Sequence, residues 1–399
     1  MTSSATHDLN SGECCHLKCI IIGGSIAGLC AAYTLRGSAH EVIVLDKRDD
    51  CVDTHGGVRV PPNMSRLLET LPGGKELLRE HGESSKVIGR MVFIDEVLED
   101  LGCKFWMIAY DVLIQYLLGL CRNAGVQLKF QTEVTAVHAA HGQRPAVVTI
   151  LGDRLDCDLL VGADGRDGIV MGAINQQSEQ DEDDYDSDGD SISEKQSSAG
   201  VSEIVSHSYS ISLSAMRDDP ALVSLAQTNE FMIWPGANIL VTGHKSGHDL
   251  YILTCTRVTG ILPDDVDTDW DPNARPTVAA DVALTGLEPR VERLFKIAHH
   301  FHSTIQRVPI VRRIVHPTGL VVIGDAAHTI TINATHNSSM AVEDGFALGR
   351  VFSHVSSPHQ IPYLLQGYRQ VRFARSMATE ASELGHSLSS PSLLGQRAR

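Results

Sequence analysis

Long apolar runs are missing from this chain of 399 residues: none approaches the eighteen that a membrane span needs. The start, Met1 to Cys19, also lacks the apolar centre of a signal peptide, so the expected address is the cytoplasm. The nine cysteines contain no Cys-x-x-Cys pair, and an odd number without a secretory signal argues for reduced thiols. No Ser-His-Asp arrangement, zinc-ligand spacing or internal repeat stands out. His299, His300 and His302 are expected to end an amphipathic helix, where cations suit the dipole, and no metal site is assigned to them.

Basic residues are scarce, with 33 Lys and Arg against 49 Asp and Glu and a net charge of −16. Nine of the acids fall between 179 and 194 with no base among them, so the rest of the chain has 33 bases against 40 acids and carries only −7. Nucleic acid is therefore not an expected partner. Residues 175–200 have few apolar groups to bury and read as a disordered acidic insertion. Within it, Asp184, Asp186, Asp188 and Gly189 mimic the start of a calcium loop, but Lys195 stands where the bidentate Glu is needed.

What the sequence does contain is a pair of fingerprints about 300 residues apart, GGSIAG at 23–28 and GDAAH at 324–328. The first lies between the apolar run Leu17 to Ile22 and a helical pattern from Ile26 to about Leu35, and a second β-rich run, Glu41 to Leu45, follows. In such a strand–turn–helix–strand unit Gly23 allows the tight turn and Gly28 lets helix and strand approach, while the helix N-terminus offers N–H groups to a pyrophosphate. Ser25 takes the middle glycine's place, small enough for a phosphate and able to donate to it. Asp46, at the end of the second strand, is placed to bind the ribose hydroxyls of an adenosine.

Further along, a helix is expected from an Asp111 N-cap to Ala124, followed by short strands at 127–130, 133–138 and 146–150. Leu159 to Val161 then delivers GADG at 162–165. Val205 to Arg257 is β-rich, helical periodicity returns between Ala279 and His300, and Leu320 to Ile323 runs into Gly324 and Asp325. Helices are expected from about Ser338 to Phe352 and from Pro362 to about Leu384. This order requires strands from the start, middle and end of the chain to share one parallel sheet, with the β-rich region as a separate layer and the motifs at carboxyl strand ends.

These residues resemble the FAD-dependent aromatic hydroxylases, the single-component flavoprotein monooxygenases, and within them the fungal salicylate-hydroxylase-like enzymes of secondary metabolism. GGSIAGL is similar to the family's FAD fingerprint, PPN at 61–63 to the segment beside the isoalloxazine, and GADG to its pyrophosphate motif. MRDDP at 216–220 and WPG at 234–236 match its substrate-domain sheet, while GDAAH and MAVEDG at 340–345 resemble the loop and helix that hold the ribityl chain and flavin. The resemblance implies an α/β fold: a Rossmann-like FAD-binding domain (16–75, 100–172, 317–350), an inserted antiparallel β-sheet substrate domain (76–99, 201–316) and a C-terminal helical region (351–399). It further implies FAD as cofactor, NADPH or NADH as co-substrate, and transfer of one oxygen atom from O2 to an aromatic or polyketide/terpenoid-type small molecule. Cofactor-binding candidates are Gly23, Ser25, Gly28, Asp46, Asp164, Gly165, Gly324, Asp325 and Asn337.

Departures from the family pattern gather near the flavin. Ile332 stands where a proline is usual and Asn337 where a loop glycine lies close to the flavin. Gly168 and Met171 replace a serine and an arginine, and Ala109 or Tyr110 occupies the place of an FAD-contacting arginine. His336, in this altered loop, is the candidate for proton transfer near substrate. His328 reads as structural, and Glu343 and Asp344 read equally well as helix-surface charges or cofactor contacts. An oxidase or cyclase acting on a similar substrate, or a non-catalytic homologue that binds a partner or metabolite, is the alternative.

Overall fold

The structure, a computed structural model, describes residues 15–49, 56–85, 104–181, 203–236, 239–259, 287–306, 313–328 and 336–388. Its centre is a six-stranded sheet in the order Val315–His316, Leu320–Val322, Leu159–Gly162, Lys18–Ile22, Glu41–Leu45, Gln127–Lys129. All neighbours are parallel except the first pair. The parallel strands read as continuous apolar runs (KCIII, EVIVL, LLVG, LVV) because helices cover both faces of such a sheet and leave no solvent side. Register then fixes the site: Ile22 lies level with Leu45 and with Gly162, and Gly162 with Val322. The residues that follow these four therefore emerge side by side at one edge.

The β-rich region forms a separate five-stranded antiparallel sheet, ordered Met232–Pro235, Ile239–Ser246, Leu250–Thr259, Glu203–Ser212, His299–Gln306. One face carries Ile211, Val241, Tyr251 and Leu253 and packs with Leu294 of helix Pro289–Ile297 into a second core. A three-stranded sheet, Gly57–Val60, Phe105–Ala109 and Glu83–Ser85, lies against it and leads through Pro61 and Pro62 toward the central layer. The expected α/β architecture, with its inserted antiparallel sheet and C-terminal helices, is the observed one.

Helix Ile26–Gly37 crosses helix Asn337–Phe352 at very short range. A Cβ on Gly345 would lie 2.6 Å from Cys30 Cβ, and one on Gly349 would lie 2.4 Å from Thr34 Cβ. Thr34 Oγ1 donates to Gly345 O at 2.7 Å across the seam. The two fingerprints, far apart in sequence, are thus carried by helices in backbone contact.

Several boundaries differ from expectation. His299, His300 and His302 lie in a strand, because the helix before them stops at Ile297. Ala109 occupies the N-cap position of the helix Tyr110–Asn123, with Asp111 inside its first turn. Residues 175–181, expected to open the acidic insertion, form the last turns of helix Ile169–Asp181, and 182–200 lie outside the described residues. Val315–His316, placed with the substrate domain by sequence, joins the central sheet. The last helix, Ile361–Leu388, extends beyond Leu384.

Candidate functional site

At the first strand end the backbone leaves no room for side chains. Gly23 sits at φ +102°, and a Cβ there would lie 2.3 Å from Ala163 O. A Cβ on Gly28 would lie 2.0 Å from Gly23 O. Between them Ser25 caps the helix: its Oγ accepts from Gly28 N at 3.3 Å and donates to Ala163 O at 3.2 Å. Its hydroxyl thereby ties the first turn to the GADG turn, and the N–H groups of Ile26 and Ala27 are left without intrahelical acceptors.

Asp46 is 5% exposed and collects four donors. Oδ2 accepts from Gly24 N at 2.7 Å and Arg48 Nη2 at 2.8 Å, and Oδ1 from Arg48 N at 2.9 Å and Nε at 3.0 Å. Burial works against its charge, but the Arg48 hydrogen bonds and charge, with Gly24, hold its pKa below the ordinary value. The carboxylate braces the fingerprint turn.

Gly165 adopts φ +87°, making the turn that sequence expects of GADG. Asp164 turns its carboxylate back toward the start of helix Ile169–Asp181, without a hydrogen bond of normal geometry. Burial raises its pKa against weaker support from backbone groups of its own turn, Ile169 and Val170. A Cβ on Gly168 would lie 2.2 Å from Asp164 Oδ1, so the carboxylate occupies the space that a side chain at 168 would take. Met171, which the resemblance sets in the place of an arginine, is 4% exposed and packs in the main core.

At the last strand end Gly324 (φ +62°) packs against Ala27: a Cβ would lie 2.8 Å from that side chain. Asp325 follows with its side chain open at the surface, yet protein crowds it enough that burial raises its pKa against the pull of Arg166, His328 and a hydrogen bond from Asn337. An open carboxylate so surrounded lies on the floor of a recess. Arg166, not singled out by sequence, brings a positive charge there. Asn337 is 8% exposed and is the first residue of its helix, not a loop residue at positive φ. His336 precedes it at the N-cap position, where its carbonyl accepts from Met340 N at 2.9 Å and Ser339 Oγ at 2.9 Å. Ile332 lies outside the described residues.

Behind this turn is an ion network that the sequence did not disclose. Asp344, fully buried, accepts from Gly324 N at 2.8 Å, His328 Nε2 at 2.6 Å and Arg372 Nε at 2.7 Å. Arg372 also reaches Glu343 at 2.8 Å, and Glu343 accepts from Asn63 of the PPN segment at 2.8 Å and from Arg375 at 3.1 Å. Burial opposes the charge on His328, but the Asp344 charge and hydrogen bond raise its pKa. Burial opposes Asp344 too, and His328 and Arg372 hold its pKa down. Glu343 and Asp344 are therefore not surface charges: they fasten the GDAAH turn to PPN and to the C-terminal helix. Among the described residues no cluster of His, Cys, Asp or Glu suits a metal.

A glycine turn without room for Cβ atoms, a helix N-terminus with open N–H groups and a recessed acid at the same sheet edge fit a long dinucleotide. The family model described as an FAD binding domain matches residues 16–382. The chain belongs to the FAD-binding flavoprotein monooxygenase family. It is 22% identical over 90% of its length to the FAD-dependent monooxygenase OpS4 of Beauveria bassiana, covering 82% of that protein. Hispidin-3-hydroxylase of Neonothopanus nambi is 24% identical over 92% of this chain and 88% of its own. Among solved structures, CtdE in complex with FAD and a substrate superposes with a TM-score of 0.71 at 18% identity, covering 94% of this chain and 89% of that one. Klebsiella pneumoniae HpxO with FAD and uric acid gives 0.69 at 20% identity, covering 94% and 88%. These last two likenesses establish the fold. No helix among the described residues is long and apolar enough to cross a membrane.

Proposed function

We propose that this protein is an FAD-dependent monooxygenase that uses NADPH or NADH and O2 to hydroxylate or epoxidise an aromatic or polyketide/terpenoid-type small molecule, in cytoplasmic secondary metabolism. The observation that carries the reading is the convergence of Gly23, Asp46, Gly165 and Asp325 at one sheet edge, set by strand register. In this reading the N–H groups at Ser25 to Ala27 take the pyrophosphate, and Asp46, with Arg48 shifting, takes the adenosine ribose. Asp325 accepts from the ribityl chain, and Asn337 orients it. The N-terminus of helix Asn337–Phe352 directs its positive end at the flavin, favouring negative charge there. Bound FAD would supply the electron relay from nicotinamide to O2. The protein's share is to bind, orient and exclude water.

The non-catalytic alternative rested on lost polar contacts, and two of those losses have structural causes: Gly168 makes room for Asp164, and Met171 fills the core. The test is direct. The purified protein should carry flavin absorbance, Asp325→Ala should fold yet hold flavin more weakly, and NADPH or NADH should reduce the flavin anaerobically, faster with a suitable phenolic or polyketide-like compound. A flavin-loaded protein that neither nicotinamide reduces with any such compound would sink the reading.

A further inference from the structure

The five-stranded sheet buries one apolar face in the second core, and its other face is polar although it too is covered. Ser206, Ser208, Ser210, Thr254 and His244 are each under 10% exposed. Register arranges them in rows, Thr242 beside Thr254 beside Ser208 and His244 beside Ile252 beside Ser210. Neighbouring hydroxyls on this face are answered within the protein: Ser206 and Thr256 share a hydrogen bond of 2.9 Å, and Ser246 donates to Ile108 O at 2.8 Å. Thr242 Oγ1 is not; it is buried with no partner.

His244 is the second unanswered group. Its Nδ1 lies 3.0 Å from the Lys245 carbonyl, which can only accept, so Nδ1 carries the proton and Nε2 is a bare acceptor. Burial and the Arg59 charge push its pKa down to about 3, which keeps the ring neutral. The ring is fixed by stacking on Phe231 at 5.4 Å, and the Arg59 guanidinium lies 4.6 Å from that same Phe ring. No hydrogen bond among the described residues engages Nε2.

The position is telling. A Cβ on Gly57 would lie 2.5 Å from Ser246 Oγ and 2.7 Å from Ile252 Cγ1, so strand Gly57–Val60 presses on this face beside His244. The same strand runs on to Asn63, bonded to Glu343 of the helix that begins at Asn337. His244 therefore stands where the second sheet meets the layer that leads to the candidate flavin site.

We propose, on the monooxygenase reading above, that His244 Nε2 is the hydrogen-bond acceptor that recognises the substrate, with Thr242 Oγ1 about 7 Å along the same strand meeting a second polar atom. The substrate is then a molecule recognised through a phenol-type O–H or indole-type N–H; a carboxylate has no proton to give Nε2, and the nearby Arg59 charge, which favours an anion, makes it the competing case. An acceptor that a bound molecule seals from water without answering it costs free energy, so the site discriminates against an analogue without the donor.

Titration calorimetry of the flavin-loaded protein with matched probes tests this: 2-naphthol against 2-methoxynaphthalene, and 5-hydroxyindole against 5-methoxyindole, with 2-naphthoate as the anionic arm. The hydroxyl member of at least one pair should bind about tenfold more tightly than its ether, and 2-naphthoate more weakly than 2-naphthol. His244→Leu should erase the hydroxyl preference and His244→Gln, which keeps a neutral acceptor, should retain it, at unchanged Tm and flavin content. Should the Leu variant misfold, Thr242→Val, which removes only an unpartnered hydroxyl, should fold as wild type and weaken the hydroxyl probe a few-fold. Equal binding within both pairs, no binding by any probe, tighter binding of 2-naphthoate, or a preference surviving in a folded His244→Leu protein would each overturn the assignment while leaving the flavin reading intact. A protein that never carries flavin would sink both.

Discussion

The turn at 23–28 and the turn at 324–328 meet at the same sheet edge, Gly324 against Ala27, yet they are held in different ways. The first depends on backbone proximity: Gly23, Gly28 and Ala163 meet at distances that no Cβ tolerates, and one serine hydroxyl stitches them together. The second depends on charge: Gly324 N–H is anchored by Asp344, which is itself held by His328 and Arg372. A steric turn can be broken only by adding atoms. An electrostatic one is broken by removing them, and its strength depends on pH.

The largest expected effect is at the steric turn. Gly28→Val places a branched side chain where even its Cβ lies 2.0 Å from Gly23 O, a backbone atom that cannot swing aside. The loss should exceed the about 1–3 kcal/mol usual for overpacking, and any folded fraction should purify without flavin. Chemical denaturation and the ratio of visible to ultraviolet absorbance check both. Wild-type flavin occupancy in a folded Gly28→Val protein would remove the first turn from the site.

Arg372→Leu comes next, because it strips the guanidinium from the buried Asp344 and one of two arginines from the part-buried Glu343. Removing one partner of a buried pair costs about 3–5 kcal/mol when the other charge is left unpaired, and His328, which stays on Asp344, holds the loss to the lower end of that range. Flavin retention should fall with it, because the Gly324 turn loses its anchor. A denaturation midpoint equal to wild type would show that His328 and Gly324 N suffice to hold Asp344.

These two cases also show what the sequence makes legible. The parallel strands and the glycine turn announce themselves locally, as apolar runs and as a spacing of five residues. The ion network does not, because Asn63 lies 280 residues from Glu343 and Arg372 lies 28 residues from Asp344. Nothing in DGFALG advertises the helix crossing either: Gly345 and Gly349 are informative only once Cys30 and Thr34 are opposite them. Nor does the β-rich pattern show that the serine face at 206, 208 and 210 is covered, since a covered polar face and an exposed one share the same period. His299 to His302 misled because alternating and helical patterns coincide over so few residues.

The pH dependence separates the turns further. His328 has a raised pKa in the folded protein, so its contribution is complete below its ordinary value of 6.5 and is lost as pH rises through the raised one. Asp344 has a lowered pKa, so its contribution is present above its ordinary 3.8 and lost as pH falls through the lowered one. The pair therefore supports the second turn best between about pH 4 and 6.5. Unfolding free energies from pH 6 to 8 should decline more steeply in wild type than in His328→Gln. Parallel curves would mean that His328 is neutral in the fold.

The smallest effect marks the edge of the electrostatic turn. Arg375 reaches the same carboxylate as Arg372, at 3.1 Å from Glu343, but its side chain is 43% exposed where that of Arg372 is 5% exposed. Water competes for its charge, and Glu343 keeps Arg372 and Asn63 without it. Arg375→Ala should cost about 0–1 kcal/mol, shrink further in added salt, and leave flavin content unchanged. Set beside Arg372→Leu, it tests whether burial, and not the number of ion pairs, gives the second turn its strength: comparable losses from the two variants would mean that Glu343, at the rim, carries the turn, and that the buried Asp344 adds little.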